Sequence, residues 1–352
     1  MPNHKIPIAI LGATGAVGQR MIQLLAGHPW FEIAALTGSD RTVGRPYGEL
    51  VRWVLDDAPP ADIARMIVQP SDTVQDVAIA LSALPTEIAK EIEPLWAARV
   101  AVCSNASTYR MTVDVPLIIP EVNADHLSMI ERQRAERGWQ GCLITNPNCA
   151  AIGIVMALKP LHDAFGVKTV HVATLQAVSG AGYPGVASLD ILENIIPNIA
   201  NGGEEAKIES EPRKLLGSVV DGRVDEAKIG ISAQATRVPV IDGHTALLSV
   251  AFERKPSVEQ AIAALESFQA PEQVRGLPSA PAQPIVVRRE ADRPQPRRDR
   301  DTGKGMSAVI GRVRECPLLD LRLVALSHNT IRGAAGGALL NAELLVAAGV
   351  AG

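Results

Sequence analysis

The sequence has few cysteines and none of the spacings that make a cysteine-based scaffold. Its four cysteines are Cys103, Cys142, Cys149 and Cys316. None belongs to a CxxC pair, and no cysteine and histidine residues are spaced as a zinc site requires. So few cysteines in 352 residues predict neither a disulfide framework nor a bound metal.

Long apolar runs and an excess of charge of one sign are also missing. The apolar stretch from Ala150 to Leu158 is stopped by Lys159 and Pro160, well short of a membrane span. With 34 basic and 38 acidic residues, the net charge of −4 gives no electrostatic footprint for nucleic acid. We therefore expect small-molecule partners, with neither nucleic acid nor membrane involved.

The N-terminus has no apolar segment or small-residue cleavage site of a signal peptide. Together with the scarce cysteines, this predicts a cytoplasmic protein. Hydrophobic residues make up 47% of the chain and charged residues 20%, which is enough for a large core. The length of 352 residues favours two domains.

In the first part of the chain, short apolar segments alternate with segments of helical spacing. Such strands are typical of a parallel sheet covered on both faces. The sequence therefore predicts a doubly wound, Rossmann-type α/β domain over residues 1–148. The predicted strands are Ile6–Leu11, Glu32–Thr37, Val77–Leu81 and Arg99–Cys103, and the predicted helices are Ala16–Ala26 and Thr86–Ala97.

The pattern changes after residue 148 to one typical of an α+β domain with a mostly antiparallel sheet, predicted over residues 149–328. The predicted helices are Ala150–Phe165, Val186–Asn194, Val258–Ser267 and a final Thr330–Ala348, and residues 329–352 are expected to pack back on the first domain. The predicted strands are Lys168–Val178, Ser232–Ile241, Ala246–Phe252, Val309–Val313 and Leu321–Leu326. Residues 269–305, rich in Pro, Arg and Asp, are interpreted as a solvated loop or linker, or as a subunit contact.

A glycine-rich segment, GATGAVG, joins the first predicted strand to the first helix. Glycines there permit a tight turn, and amides at a helix N-terminus face a phosphate. The spacing is GxxGxxG and not the commoner GxGxxG, but the position of the segment between a strand and a helix predicts a dinucleotide site rather than only a strand-to-helix turn. The expected cofactor contacts are Gly12, Thr14, Gly15, Ala16 and Val17.

The end of the second predicted strand decides which dinucleotide is expected. Ser39 and Arg41 suit a 2′-phosphate and favour NADP, although an acidic residue such as Asp40 can bind the ribose hydroxyls of NAD if it turns toward them. Thr37 is a further expected cofactor contact. An exposed turn is the alternative interpretation. Ser82 and Leu84, at the end of a later strand, either border the cofactor or belong to an ordinary strand-to-helix turn.

Cys149 is the candidate nucleophile. It follows Asn146-Pro147-Asn148 at the start of an apolar helix, where Asn148 is a plausible cap and the helix N-terminus favours a thiolate of lowered pKa. His244 follows Gly243 between two predicted strands and could serve as acid and base, or be purely structural.

These motifs together resemble the aspartate-semialdehyde dehydrogenase family, in its archaeal and fungal branch. The segments that carry the resemblance are GATGAVG, TNPNCA, TLQAVSGAGYPG, GGEEAKIESEPRK, RVPVIDGHT and SHNTIRGAAGGALLNAELL, in that order over nearly the whole chain. The resemblance implies an NADP-dependent enzyme, dimeric or tetrameric, that interconverts 4-phospho-L-aspartate and L-aspartate 4-semialdehyde with inorganic phosphate through a thioester on Cys149.

The resemblance also implies roles for individual residues. Cys149, His244 and Gln176 would be catalytic. Arg237, Glu204, Lys207 and Arg110 would bind substrate and phosphate, and Ser179, Gly180 and Asn329 would line the nicotinamide site. Glu211 and Lys214 repeat the Glu-x-x-Lys spacing, which leaves a choice between the two pairs. A malonyl-CoA reductase and a non-catalytic NADP-binding sensor are the alternatives.

Overall fold

The computed structural model describes residues 4–352, and its first layer is a six-stranded parallel sheet. The strand order is β3-β2-β1-β4-β5-β6, the doubly wound order that was predicted. β4, β5 and β6 are buried along their whole length because helices cover both faces of the sheet. The strands are β1 (Ile6–Leu11), β2 (Phe31–Gly38), β3 (Gln69–Pro70), β4 (Ile79–Ser82), β5 (Ala101–Ser104) and β6 (Cys142–Thr145).

Helices from both ends of the chain complete this layer. The last helix, α12 (Gly336–Ala347), is buried against the first sheet, and Leu339, Leu340 and Leu344 share a core with Ile8 and Leu81. The other helices of this part are α1 (Ala16–Leu25), α2 (Tyr47–Leu50), α3 (Ala61–Ala64), α4 (Thr86–Ala97), α5 (Pro120–Asn123) and α6 (Met129–Arg137), with a 3-10 turn at Ala124–Ser128.

A seven-stranded mixed sheet forms the second layer, in the order β13-β14-β15-β12-β7-β11-β8. Only the β7–β11 and β13–β14 pairs are parallel, so the predicted mostly antiparallel sheet is confirmed. The strands are β7 (Val167–Gln176), β8 (Ile196–Pro197), β11 (Gly230–Arg237), β12 (His244–Phe252), β13 (Ile285–Arg288), β14 (Ala308–Glu315) and β15 (Leu321–Ser327), with a separate hairpin of β9 (Ser218–Val220) and β10 (Arg223–Asp225).

One long helix, α7 (Cys149–Phe165), starts where the first sheet ends and packs on the second sheet. Within residues 4–352, no helix has the combination of length and apolar character needed to cross a membrane. The remaining helices are α8 (Ser188–Ile191), α9 (Gly203–Leu215), α10 (Val258–Glu266) and α11 (Pro296–Asp299), with 3-10 turns at Val178–Ala181 and Ile199–Gly202 and a π-helical turn at Ile331–Ala335.

Two predicted helices differ from the structure, and one helix was not predicted. The helix predicted at Val186–Asn194 is only the single turn α8, because the chain becomes extended at Leu192 and Glu193 then adopts a left-handed conformation with φ of 57°. The final helix is interrupted at its start by the π-helical turn. α9 was not predicted as a helix, because its buried face carries Glu204, Glu211 and Lys214, which hide the apolar periodicity.

The interpretation of residues 269–305 as a solvated loop is wrong for part of the segment. β13 lies within it and pairs with β14 at the edge of the second sheet. Asp299 is fully buried and accepts hydrogen bonds from the side chains of Arg288 and Arg293. Some of the charged residues that suggested solvent exposure, namely Arg288, Arg293 and Asp299, therefore form an ion cluster around a buried carboxylate.

We expect Gly141→Ala to destabilise the fold. A Cβ at Gly141, which precedes β6, would lie 2.1 Å from the backbone oxygen of Val100. Backbone cannot yield as a flexible side chain does, so the loss should be about 1–3 kcal/mol or more in the free energy of unfolding, measured in urea. Gly230→Ala is the control, because its Cβ would meet nothing closer than 3.8 Å. Equal stability of the two variants would contradict the expectation.

Candidate active site

The turn before α7 presents Cys149 at the first position of the helix. β6 ends at Thr145, and the N–H of Asn146 donates to the carbonyl of Ser104, which keeps the turn against the end of the parallel sheet. Asn148 is the N-cap, as predicted: its side-chain oxygen accepts from the N–H groups of Ala150 and Ala151 at 2.9 and 3.1 Å.

Asn148 is also held by two carboxylates from α9. Its side-chain amide donates to Glu204 Oε1 at 2.9 Å, and its backbone N–H donates to Glu211 Oε2 at 2.6 Å. All the polar contacts that Asn148 offers around the turn are therefore used, and the position of Cys149 depends on both domains.

His244 lies beside the nucleophile. Gly243, with φ of 103°, turns the chain into β12 and places His244 Nε2 3.3 Å from Cys149 Sγ. The backbone N–H of Ala177 donates to His244 Nδ1 at 3.0 Å. We assign the proton of the neutral ring to Nε2, because Nδ1 must act as the acceptor. The imidazole therefore points a donor at the sulphur.

Burial shifts the pKa of both groups in the direction that favours their neutral forms. Burial raises the pKa of Cys149 to about 12, Glu204 adds to the rise, and Arg110 and Arg237 oppose it. The expected lowering of this pKa at the helix N-terminus is thus wrong for the unliganded site, because loss of water outweighs the helix field. Burial also lowers the pKa of His244 to about 3, and the positive charge of Arg237 contributes.

Polar side chains from the second sheet form one wall of the site. Gln176, the last residue of β7, donates to Glu204 Oε1 at 3.0 Å. Arg237, the last residue of β11, donates to the carbonyl of Ala177 at 2.8 Å. Lys207 Nζ lies 3.7 Å from Glu204 Oε2. Parallel pairing of β7 with β11 brings Gln176 and Arg237 side by side.

Arg110 approaches from the first domain. Its Nη1 donates to Glu211 Oε1 at 3.0 Å and its Nη2 donates to the carbonyl of Asn105 at 2.7 Å. Lys214 donates to the carbonyls of Arg110, Thr112 and Val115 at 2.7–2.8 Å. Of the two Glu-x-x-Lys pairs, Glu204 and Lys207 line the cavity, whereas Glu211 and Lys214 hold the backbone behind it.

A cavity of about 680 Å³ connects these side chains with the glycine-rich turn. Most of the residues predicted from the sequence lie around it. They are Ala16, Val17, Leu84, Arg110, Cys149, Gln176, Ser179, Gly180, Glu204, Lys207, Arg237 and Asn329. Gly180 must lack a side chain, because a Cβ there would lie 2.8 Å from Arg237 and 2.9 Å from His244.

The glycine-rich turn has the shape that a pyrophosphate requires. Gly12 has φ of 75°, and a Cβ there would lie 2.9 Å from the carbonyl oxygen of Ala83. Gly18 packs directly on Gly12 and Ala13. Gly15 caps α1 without a side-chain hydrogen bond, and a Cβ there would meet nothing closer than 3.6 Å. Thr14 and Gly15 therefore lie at an open helix N-terminus, as a phosphate site demands.

The other predicted cofactor residues either do not line the cavity or have side chains that already hydrogen-bond to other protein groups. Ser39 and Arg41 are exposed after β2, while the Thr37 hydroxyl pairs with Ser71. The Ser82 hydroxyl donates to buried Glu93 at 2.6 Å, so only the backbone of Ser82 can face a cofactor.

Asn329 has both ends of its amide engaged. Its Nδ2 donates to Ser179 Oγ at 2.8 Å, and its oxygen accepts from the N–H of Gly243 at 2.8 Å. It therefore joins the turn at Ser179 to the turn that presents His244.

Comparison with known proteins identifies relatives that match nearly the whole chain. Residues 7–130 match the semialdehyde dehydrogenase NAD binding domain, and residues 158–332 match the semialdehyde dehydrogenase dimerisation domain. An aspartate-semialdehyde dehydrogenase of Archaeoglobus fulgidus is 52% identical over 342 residues, which cover 96% of this chain and 97% of that protein. The chain belongs to the aspartate-semialdehyde dehydrogenase family.

Fungal members agree with this assignment. The aspartate-semialdehyde dehydrogenase of Cryptococcus neoformans is 45% identical over 363 residues and covers 99% of both chains. The crystal structure of the Candida albicans enzyme with NADP superimposes with a TM-score of 0.90 at 41% identity, over 98% of this chain and 99% of that one. The predicted family and branch are confirmed, and the first domain is an NAD(P)-binding domain of an oxidoreductase.

Gly333 and Glu211 contact the turn that carries the nucleophile and were not among the predicted site residues. Gly333, in the π-helical turn, lies so close that a Cβ would be 2.7 Å from Cys149 Cβ. Glu211 was considered only as an alternative to Glu204. The π-helical turn follows from packing and leaves no local signal, whereas the repeated Glu-x-x-Lys spacing does mark Glu211.

We expect the buried, neutral His244 to cost stability in acid. An unfolded histidine titrates near 6.5, so below that pH the unfolded chain binds a proton that the folded site refuses until about pH 3. Relative to wild type, His244→Asn should therefore gain about 2–3 kcal/mol of unfolding free energy between pH 6.5 and 4.5. Urea unfolding at both pH values measures this. A constant difference between the two proteins would show that His244 titrates normally.

Proposed function

We propose that the protein catalyses the reversible, NADP-dependent reductive dephosphorylation of 4-phospho-L-aspartate to L-aspartate 4-semialdehyde, a step in the biosynthesis of lysine, threonine and methionine from aspartate. The observation that carries the proposal is the pairing of Cys149 with His244 at 3.3 Å, in a cavity that also contains Arg110 and Arg237. A nucleophile and two separated guanidinium groups suit a substrate with a carboxylate at one end and a phosphate at the other.

The wall of the cavity supports an orientation for the substrate. Arg237 would bind the α-carboxylate, since its planar fork matches a carboxylate. Glu204 would face the ammonium group and Gln176 would help to position the reacting carbonyl. Arg110 and Lys207 would bind the phosphate. Arg110 comes from the first domain, whereas Lys207 and Arg237 come from the second, so both domains would contact the substrate around Cys149.

Covalent catalysis would proceed in two steps. The Cys149 sulphur attacks the acyl carbon, a C–S bond forms, the C–O bond to phosphate breaks, and the sulphur's proton leaves with the phosphate. NADPH, when bound, supplies the hydride that reduces the thioester. Collapse of the resulting oxyanion breaks the C–S bond and returns the thiolate, which then takes up a proton.

His244 and the start of α7 supply the donors for these steps. The Nε2 proton of His244 faces the sulphur and would stabilise the thiolate and the neighbouring oxyanion. The backbone N–H of Cys149, at the N-terminus of a 17-residue helix, would be a second donor. The neutral ring suits this work, because with Nδ1 accepting from Ala177 its proton lies on Nε2 and can be donated without prior protonation of the ring.

Gly12, Thr14, Gly15, Ala16 and Val17 would hold the pyrophosphate of NADP, with Ser179, Gly180 and Asn329 near the nicotinamide. The backbone at Ser82 and Leu84 would border the cofactor. Thr37, Ser39 and Arg41 lie at the end of β2, where the adenosine ribose binds in this fold. We further propose a homodimer or homotetramer in the cytoplasm, supported by the match to a dimerisation domain and by four free cysteines.

The central experiment measures reduction of NADP with L-aspartate 4-semialdehyde and inorganic phosphate. We expect turnover that requires phosphate and falls at least about a thousandfold in Cys149→Ser, because the alcohol is a far weaker nucleophile. Cys316→Ser is the control, since Cys316 follows β14, does not line the cavity, and its sulphur accepts from the N–H of Leu319. Turnover that instead needs CoA and malonate semialdehyde would contradict the proposal.

Cofactor preference has its own test. Arg41→Ala should raise the KM for NADP about tenfold or more and leave the KM for NAD nearly unchanged, because a charged hydrogen bond to the 2′-phosphate is lost. Arg45→Ala removes a nearby exposed arginine and should alter neither value. A similar rise for both cofactors would mean that Arg41 does not read the 2′-phosphate.

A further inference from the structure

Glu211 is a buried carboxylate that accepts hydrogen bonds from two groups of the active site. Its side chain is 2% exposed, and each oxygen accepts one hydrogen bond. Oε1 accepts from Arg110 Nη1 at 3.0 Å, and Oε2 accepts from the backbone N–H of Asn148 at 2.6 Å. One side chain thus joins the residue before the nucleophile to the arginine that would contact the phosphate.

Arg110 depends on this contact for its placement. Its side chain is 8% exposed, and its Nε is buried without a partner among residues 4–352. Glu211 and the carbonyl of Asn105 are therefore the groups that orient the guanidinium. Glu211 is also the only carboxylate in an ion pair with Arg110 within those residues, so it compensates a charge that is mostly removed from water.

We propose that Glu211 is a positioning residue that fixes the turn before Cys149 and the phosphate-contacting Arg110 relative to each other. The second Glu-x-x-Lys pair of α9 is then not a spare copy of the first. Lys214 fixes the backbone that carries Arg110, and Glu211 fixes its guanidinium relative to Asn148. This inference rests on the proposed function, in which sulphur and phosphate act on the same acyl carbon.

Glu211→Gln separates this role from simple packing. Glutamine has nearly the same shape, but only one of its two terminal atoms can accept a hydrogen bond. Either Arg110 or the N–H of Asn148 must then face an NH₂ group. Glu209→Gln is the matched control: Glu209 lies on the same helix and also accepts from a backbone N–H, that of Ala233 on β11, away from the cavity.

The first readout is steady-state kinetics with separate kcat and KM values. Glu211→Gln should raise the KM for inorganic phosphate and lower kcat, each by about tenfold or more, since a buried bond to a charged group is lost. Glu209→Gln should stay within about twofold of wild type, because its remaining oxygen still accepts the bond. An unchanged phosphate KM in Glu211→Gln overturns the proposal.

The second readout needs no turnover. Loss of a bond to Asn148 or Arg110 loosens the turn that carries Cys149 and opens access to its sulphur, so iodoacetamide should alkylate Cys149 at least about threefold faster at neutral pH in Glu211→Gln, but not in Glu209→Gln. Mass spectrometry of the Cys149 peptide follows the reaction. An unchanged rate also overturns the proposal. If the wild type shows no phosphate-dependent turnover, the proposed function fails, and alkylation alone decides the role of Glu211.

Glu211→Asp, which shortens the side chain by one methylene group, provides a second test if Glu211→Gln does not fold. Glu211→Asp keeps the charge that buried Arg110 needs, but it cannot reach both partners. It should fold, as judged by an unfolding midpoint near that of Glu209→Gln, and lose about tenfold or more in kcat/KM. A folded Glu211→Asp with wild-type kinetics would show that the two contacts are not needed together.

Discussion

The site depends on how Asn148 is held. The residue caps α7 through its side-chain oxygen, donates its amide to Glu204 and donates its backbone N–H to Glu211. The cap matters for a nucleophile at the first position of a helix, because the cap defines where the helix begins. The spacing of Cys149 and His244 follows from these three contacts together with the strand end at His244.

Buried charge on α9 shapes the chemistry. A helix whose inner face carries two glutamates and a lysine is costly unless each group is bonded, and here each one is. The arrangement also sets the state of the reacting pair. Burial and Glu204 raise the pKa of the Cys149 thiol, and burial lowers the pKa of His244, so both shifts favour the neutral forms.

Both domains contribute side chains to the active site. Cys149 and Arg110 come from the ends of the first sheet and its loops, whereas Gln176, Arg237 and His244 come from strand ends of the second sheet. α12 returns to the first core and the π-helical turn before it places Gly333 on Cys149. Interlocking of this kind limits relative movement, since a shift of either sheet would break bonds at Asn148.

The sequence by itself determined the parallel sheet, the glycine-rich turn, the capped cysteine and the family. Each of these is a local pattern: an apolar run, a glycine spacing, or a cap followed by a helix. The sequence did not reveal α9, the strand within residues 269–305 or the neutral state of Cys149. Those features depend on which polar groups meet after the chain has folded. Glu211 finds Arg110 across 101 positions of the chain, and burial overrides the helix field at the thiol only once both domains enclose it.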